Sequence, residues 1–78
     1  MIKAIIKLKG GLERYNQEGK REIIVSTPGK NIEEILCESG IPLEQVNLII
    51  TNGALEKDIK RKLVDGDVVE VIPVIEGG

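Results

Sequence analysis

Val68-Val69-Glu70-Val71-Ile72-Pro73-Val74-Ile75-Glu76-Gly77-Gly78 closes the sequence with an apolar run, a proline and two glycines. Only Glu70 interrupts the apolar residues before Pro73, which predicts a central strand covered on both faces. Pro73 fixes one φ angle and removes a ladder donor, so the hydrogen-bonded strand is expected to end near it and a mobile arm to follow over 73–78. Gly77 and Gly78 carry no Cβ, and main chain of that kind can thread a narrow slot and present a carboxylate to another protein's active site. A chain end is ordinarily frayed and chemically idle. Position and strand context set this one apart.

Upstream, Asp65-Gly66-Asp67 reads as a tight turn leading into the strand. Val46 to Thr51 reads as another strand, and Asn52-Gly53 directly after it marks a reversal because both residues tolerate positive φ. Between these turns, Ala54 to Leu63 is charged, with scattered Leu55, Ile59 and Leu63. It is expected to be a short strand or turn followed by a surface loop with a solvated lysine face.

Asn31 followed by Glu34 is a capping-box variant, and Ile32, Ile35 and Leu36 share one face, which predicts a helix from Ile32 to Ser39. Gly40 supplies a left-handed stop, with Pro42 beyond it. A helix this short melts in water unless it packs on something. Cys37 falls outside the apolar stripe, among Glu33, Glu34 and Glu38, and is expected to be a bystander on the outer face.

At the start of the chain, Ile2, Ala4, Ile6 and Leu8 alternate with mostly lysine, the period of a half-buried strand. Arg21 to Ser26 is β-branched, and the two runs predict a hairpin joined by a long, mobile, glycine-punctuated connection from Gly10 to Lys20. Gly10-Gly11 reads as a turn, and Thr27-Pro28-Gly29-Lys30 breaks the second strand.

Composition excludes several functions. The 78 residues form one domain, 1–78, too small for both a core and a deep pocket. Eleven Lys and Arg against thirteen Asp and Glu give a net charge of -2, which offers no footprint for nucleic acid or an anionic membrane. Tyr15 is the only aromatic residue, so no base-stacking platform can be built. One cysteine and no histidine argue against a disulfide, a zinc site or an iron–sulfur cluster. No signal peptide or transmembrane run is visible, so a cytoplasmic location is expected.

Strand, strand, helix, strand, short strand or turn, strand is the order of an α+β β-grasp fold, a mixed sheet of four to five strands on one main helix. Its core is expected to include Ile6, Ile35, Leu36, Ile50 and Val71. Asn52-Gly53, then Leu63-Val64-Asp65-Gly66-Asp67-Val68-Val69, then Pro73 and Gly77-Gly78 together resemble the MoaD/ThiS family of ubiquitin-like sulfur carriers, along the whole chain. The resemblance implies a carrier and not an enzyme. A ubiquitin-activating-like adenylyltransferase would spend ATP to adenylate the Gly78 carboxylate, and sulfur would replace the activated oxygen to give a thiocarboxylate. The carrier itself would hold no cofactor or metal. Its tail, Pro73, Val74, Ile75, Glu76 and Gly77, would enter the partner's active site. The sulfur acceptor would be a molybdopterin synthase large subunit, favoured because Pro73 is retained, or a thiazole synthase. One proline and no aromatic in Ile72-Pro73-Val74-Ile75 departs from the usual molybdopterin-synthase tail. A ubiquitin-like protein modifier and a non-catalytic β-grasp interaction module are the alternatives.

Overall fold

The computed structural model describes residues 2–26 and 29–74. Five strands form one mixed sheet: β1 Ala4–Leu8, β2 Glu22–Val25, β3 Val46–Thr51, β4 Ala54–Leu55 and β5 Val68–Pro73, in the spatial order β2-β1-β5-β3-β4. β5 is central, as its sequence predicts. It runs parallel to β1, with Ile6 opposite Val69 and Leu8 opposite Val71, and antiparallel to β3. This is the β-grasp arrangement, with α1, Ile32–Glu38, against one face of the sheet.

Sequence chemistry accounts for the helix ends. Asn31 Oδ1 accepts from the Glu34 N–H at 2.8 Å while Glu34 Oε1 accepts from the Asn31 N–H at 3.2 Å, a complete capping box. At the other end Gly40 adopts φ 84, and the Ile41 N–H donates to Leu36 O while the Gly40 N–H donates to Cys37 O. That pair of bonds is a Schellman stop, and Leu36 and Ile41, the positions whose hydrophobic contact commonly accompanies it, are both buried in the same core cluster.

Ala4, Ile6 and Leu8 of β1, Val69 and Val71 of β5, and Ile32, Ile35 and Leu36 of α1 make the centre of the core. Burying each of the Ile, Leu and Val side chains contributes on the order of 1.5–3 kcal/mol, which offsets the chain entropy that a seven-residue helix cannot recover alone.

Four expectations are corrected. β5 is covered on one face only: Val69 and Val71 are buried, whereas Val68, Glu70 and Ile72 are half-exposed because no second layer lies on their side among the described residues. Ile49, not Ile50, is the core residue of β3, with Thr51 two residues on along the same buried face. The Gly10 to Lys20 connection is not all surface, since a 3-10 turn at Leu12–Tyr15 sends Leu12 into the core at 2% exposure. The segment read as a surface loop buries Leu63 and crosses the start of α1. There the Ile59 carbonyl accepts from the Glu33 N–H and the Leu63 N–H donates to Lys30 O. The first of these bonds satisfies a helix-end donor that the cap leaves open.

Candidate functional site

The candidate site begins where β5 runs out. Val46 lies opposite Pro73 and Leu48 opposite Ile72, so Asn47 is an extra residue and the β3–β5 ladder carries a bulge beside the tail root. A bulge bends a strand and raises its local twist, a common device for re-aiming chain near a site. Pairing nevertheless continues one residue past the proline: the Val74 N–H donates to Gln45 O at 2.9 Å. Gln45 is itself held in a 3-10 turn, Leu43–Gln45, by a bond from its N–H to Pro42 O.

On the other side β1 has already departed. Lys9 N–H donates to Val71 O at 3.0 Å, and the chain then turns away through Gly10 and Gly11, at φ 58 and 85. Strand alternation points the Pro73 nitrogen to this vacated side, so the donor that proline lacks has no partner to lose. The Pro73 ring instead occupies the space that a side chain on Gly10 would need. Of the residues expected to form the tail, Pro73 and Val74 are therefore ordered parts of the sheet margin. Ile75, Glu76, Gly77 and Gly78 lie outside the described residues.

The opposite end of β5 is pinned by a polar cluster that the sequence reading missed. Asp67 is 4% exposed. Its Oδ2 accepts from the Val64 N–H at 2.9 Å and from Arg61 Nη1 at 3.3 Å, and its Oδ1 accepts from Asn52 Nδ2 at 3.0 Å. Arg61 Nε reaches Glu56 Oε1 at 2.9 Å. Burial pushes the Asp67 pKa up, but the Val64 N–H, Asn52 and Arg61 outweigh it and hold the carboxyl below its ordinary value. Burial likewise opposes ionisation of Glu56, and the hydrogen bond from Arg61 leads the interactions that lower it. Asn52 and Asp67 each serve a turn and this cluster together, and the turn signal alone was visible.

Beside the tail root the open face of the sheet is apolar. Leu48 and Val74 are exposed there, with Leu55 and Ile24 exposed further along the same face. The concavity between Lys20, Glu22, Ile24 and Glu38 is an open groove, not an enclosed chamber. Among the described residues no group of His, Cys, Asp and Glu is arranged to hold a metal ion, and no helix is long and apolar enough to cross a membrane. Cys37 is exposed on the outer side of α1, where the periodicity places it.

A mixed five-stranded sheet over one helix, with the central strand leading into a Gly-Gly sequence, defines a ubiquitin-like β-grasp domain of the MoaD/ThiS type. The chain belongs to the Mut7-C ubiquitin family, whose sequence profile matches residues 2–77. Among curated proteins it is 40% identical over 52 residues to the sulfur carrier protein ThiS of Thermus thermophilus, covering 64% of this chain and 81% of that protein. Solved structures share the fold at lower identity. A molybdopterin converting factor subunit 1 from Pyrococcus furiosus superposes with a TM-score of 0.69 at 24% identity, over 96% of this chain and 100% of that one. Subunit 1 in the Helicobacter pylori complex of molybdopterin-converting factor subunits 1 and 2 is similar at 0.65 and 21%, over 99% and 100%. The Haloferax volcanii HVO 2177 protein gives 0.70 at 17% identity, over 99% and 87%.

Proposed function

We propose that this chain is a sulfur carrier whose working group is the carboxylate of Gly78. The observation that carries the proposal is the 40% identity to a protein named as a sulfur carrier, on a fold whose central strand shortly precedes Gly77-Gly78 in the sequence. A carboxylate is a poor acyl donor until one oxygen becomes part of a good leaving group. The chain has no glycine-rich phosphate loop of its own, so activation falls to a ubiquitin-activating-like adenylyltransferase that binds the ATP. The Gly78 carboxylate oxygen attacks the α-phosphate, pyrophosphate leaves, and an acyl adenylate forms. A sulfur nucleophile then attacks the acyl carbon and AMP departs, leaving sulfur in place of one carboxyl oxygen.

The chain's own contribution is presentation. Pro73 and Val74 sit at the sheet margin, and the two glycines that follow in the sequence carry no side chain to obstruct a narrow catalytic channel. Exposed Leu48 and Val74 on the open face give a partner apolar surface beside the root. Two acceptors are in play. Retention of Pro73 favours the large subunit of molybdopterin synthase, and the relationship to ThiS supports a thiazole synthase. Incubating the thiocarboxylated chain with each acceptor enzyme separates them by which product gains sulfur.

The primary test is the intact mass of the protein isolated from its own cells under non-reducing conditions. A sulfur-for-oxygen exchange on the carboxyl terminus is expected. Adducts on lysines of other proteins would instead identify a protein modifier. An unaltered Gly78 carboxyl that no activating enzyme of the source adenylates would leave a non-catalytic interaction module.

A further inference from the structure

We propose that Gly10 is a positioning residue for the tail: the absence of a side chain there lets the Pro73 ring seat against the Gly10-Gly11 turn, and that seat keeps Val74 bonded to Gln45. The functional consequence rests on the sulfur-carrier proposal, whereas the structural content does not.

A Cβ built on Gly10 overlaps Pro73 Cγ and falls 2.9 Å from Pro73 Cδ. The other glycines at positive φ are different. Nothing lies within 4 Å of a Cβ on Gly19, Gly29, Gly53 or Gly66, a Cβ on Gly11 meets only Arg14 Nη1 at 3.9 Å, and one on Gly40 meets the Tyr15 carbonyl. Gly10 is thus the one among these whose missing side chain is filled by the tail root, far away in sequence. Gly19 is its natural control, being left-handed at φ 66 against φ 58 with open space around it.

Pro73 cannot evade a new side chain at Gly10 by rotating its own φ, which the pyrrolidine ring fixes. The displacement must pass into the Pro73–Val74 backbone, where one hydrogen bond, Val74 N–H to Gln45 O at 2.9 Å, holds the last described residue. Losing that bond frees Val74 from the sheet margin. An activating enzyme must then order that residue on binding, a cost that appears as weaker capture of the carrier and not as slower chemistry.

The experiment compares Gly10→Ala, Gly19→Ala, Pro73→Ala and the Gly10→Ala/Pro73→Ala double variant by amide hydrogen exchange and by ATP–pyrophosphate exchange with the activating enzyme of the source organism. Gly10→Ala is expected to exchange its Val74 amide about tenfold faster and to raise KM about tenfold, the entropy of ordering one backbone residue, with kcat within about twofold. Gly19→Ala should match the native chain in both. Pro73→Ala, which keeps Gly10 but loses the ring, should also exchange Val74 faster, so the proposal stays testable if Gly10→Ala does not fold. In that background the added Gly10→Ala change should have no further effect on Val74.

Native-like Val74 exchange in a folded Gly10→Ala chain overturns the inference, as does an undiminished Gly10→Ala effect without the Pro73 ring. Faster exchange with unchanged KM overturns the positioning role alone. A native chain that is never adenylated overturns the carrier proposal, and the Val74 measurements then decide the structural claim by themselves.

Discussion

Asn52 and Val68 hold each other through two hydrogen bonds: the Asn52 N–H donates to Val68 O at 2.8 Å, and the Val68 N–H donates to Asn52 Oδ1 at 2.8 Å. Asn52 does this at φ 52, as a corner of the β3–β4 hairpin, while its Nδ2 supports Asp67. One side chain therefore joins a hairpin turn to the first residue of the central strand. Asn52→Ala should lose two side-chain hydrogen bonds and pay for the left-handed backbone, a destabilisation of about 2–4 kcal/mol by urea unfolding. Asn52→Gly keeps the backbone freedom and should lose less. Equal losses in the two variants would show that the turn conformation contributes nothing.

Acid should weaken the same end of the sheet. Asp67 and Glu56 have folded-state pKa values below their ordinary ones, burial being outweighed by hydrogen bonds from Val64, Asn52 and Arg61 on Asp67 and from Arg61 on Glu56. Carboxyls depressed on folding stabilise the native state above their unfolded values, about 4, and that contribution disappears as pH falls through the lowered folded values. Unfolding free energy should therefore be flat from pH 7 to about 5 and drop steeply below about 4. Asp67→Asn should be less stable at neutral pH and show a shallower acid limb. An acid limb as steep as that of the native chain would remove Asp67 from the explanation.

Ile49 and Ile50 make a sharper comparison, because one faces the core and the other the open side of the same strand. Ile49→Ala should cost about 2–4 kcal/mol, and Ile50→Ala clearly less, since only the first leaves a cavity. Similar costs, measured by denaturant titration, would mean that the open face is covered in solution.

Their assignment also shows where the sequence stops speaking. Leu48, Ile49 and Ile50 are consecutive and apolar, so alternation has no phase there. Phase is set by the Asn52-Gly53 hairpin, which pairs Thr51 with Ala54, and by the bulge at Asn47. Thr51, the polar member, faces inward, which inverts the expectation that an apolar neighbour would. The helix was fully legible because its signals are local: capping box, stripe and left-handed stop lie within Asn31 to Ile41. The Asp67–Arg61–Glu56 cluster was not legible, since charged residues in a turn and a loop look solvated until the fold brings them together. Gly10 was read as a turn, which it is, but its contact with Pro73 depends on a parallel pairing between the two ends of the chain that no local pattern encodes.

Gly66 lies in open space, with nothing within 4 Å of a Cβ, so a side chain there meets no steric obstacle. Its φ of 87 is what a branched residue cannot adopt cheaply, and its N–H donates to Lys3 O, tying the turn to the start of β1. Gly66→Val is expected to lower stability by at least about 1–2 kcal/mol. Gly66→Asn, which tolerates left-handed backbone better, should recover part of the loss. Unchanged thermal unfolding of Gly66→Val would show that the turn can rearrange without cost.

Deleting Gly78 should separate folding from function. The residue has no side chain to bury, and the core is complete by Val71, so thermal and denaturant unfolding of the shortened chain should match the full one. Activation should not. The proposed chemistry needs the carboxylate in line with the α-phosphate, and removing one residue from a chain that the activating enzyme holds extended would withdraw that oxygen by about 3.3–3.6 Å. Near-attack geometry absorbs far less than this, since misplacement of about 1 Å already costs on the order of a hundredfold. Pyrophosphate exchange should therefore fall to background for the deletion, while Gly77→Val, which keeps the length but adds a branched side chain, should lose activity by obstructing the channel. Inserting one alanine between Ile75 and Glu76 of the Gly78 deletion distinguishes reach from terminal sequence: it restores the length with Gly77 as the last residue and should restore activation with it. If the deletion is adenylated as well as the full chain, the carboxylate of Gly78 is not the working group, and the open apolar face around Leu48 becomes the site to pursue.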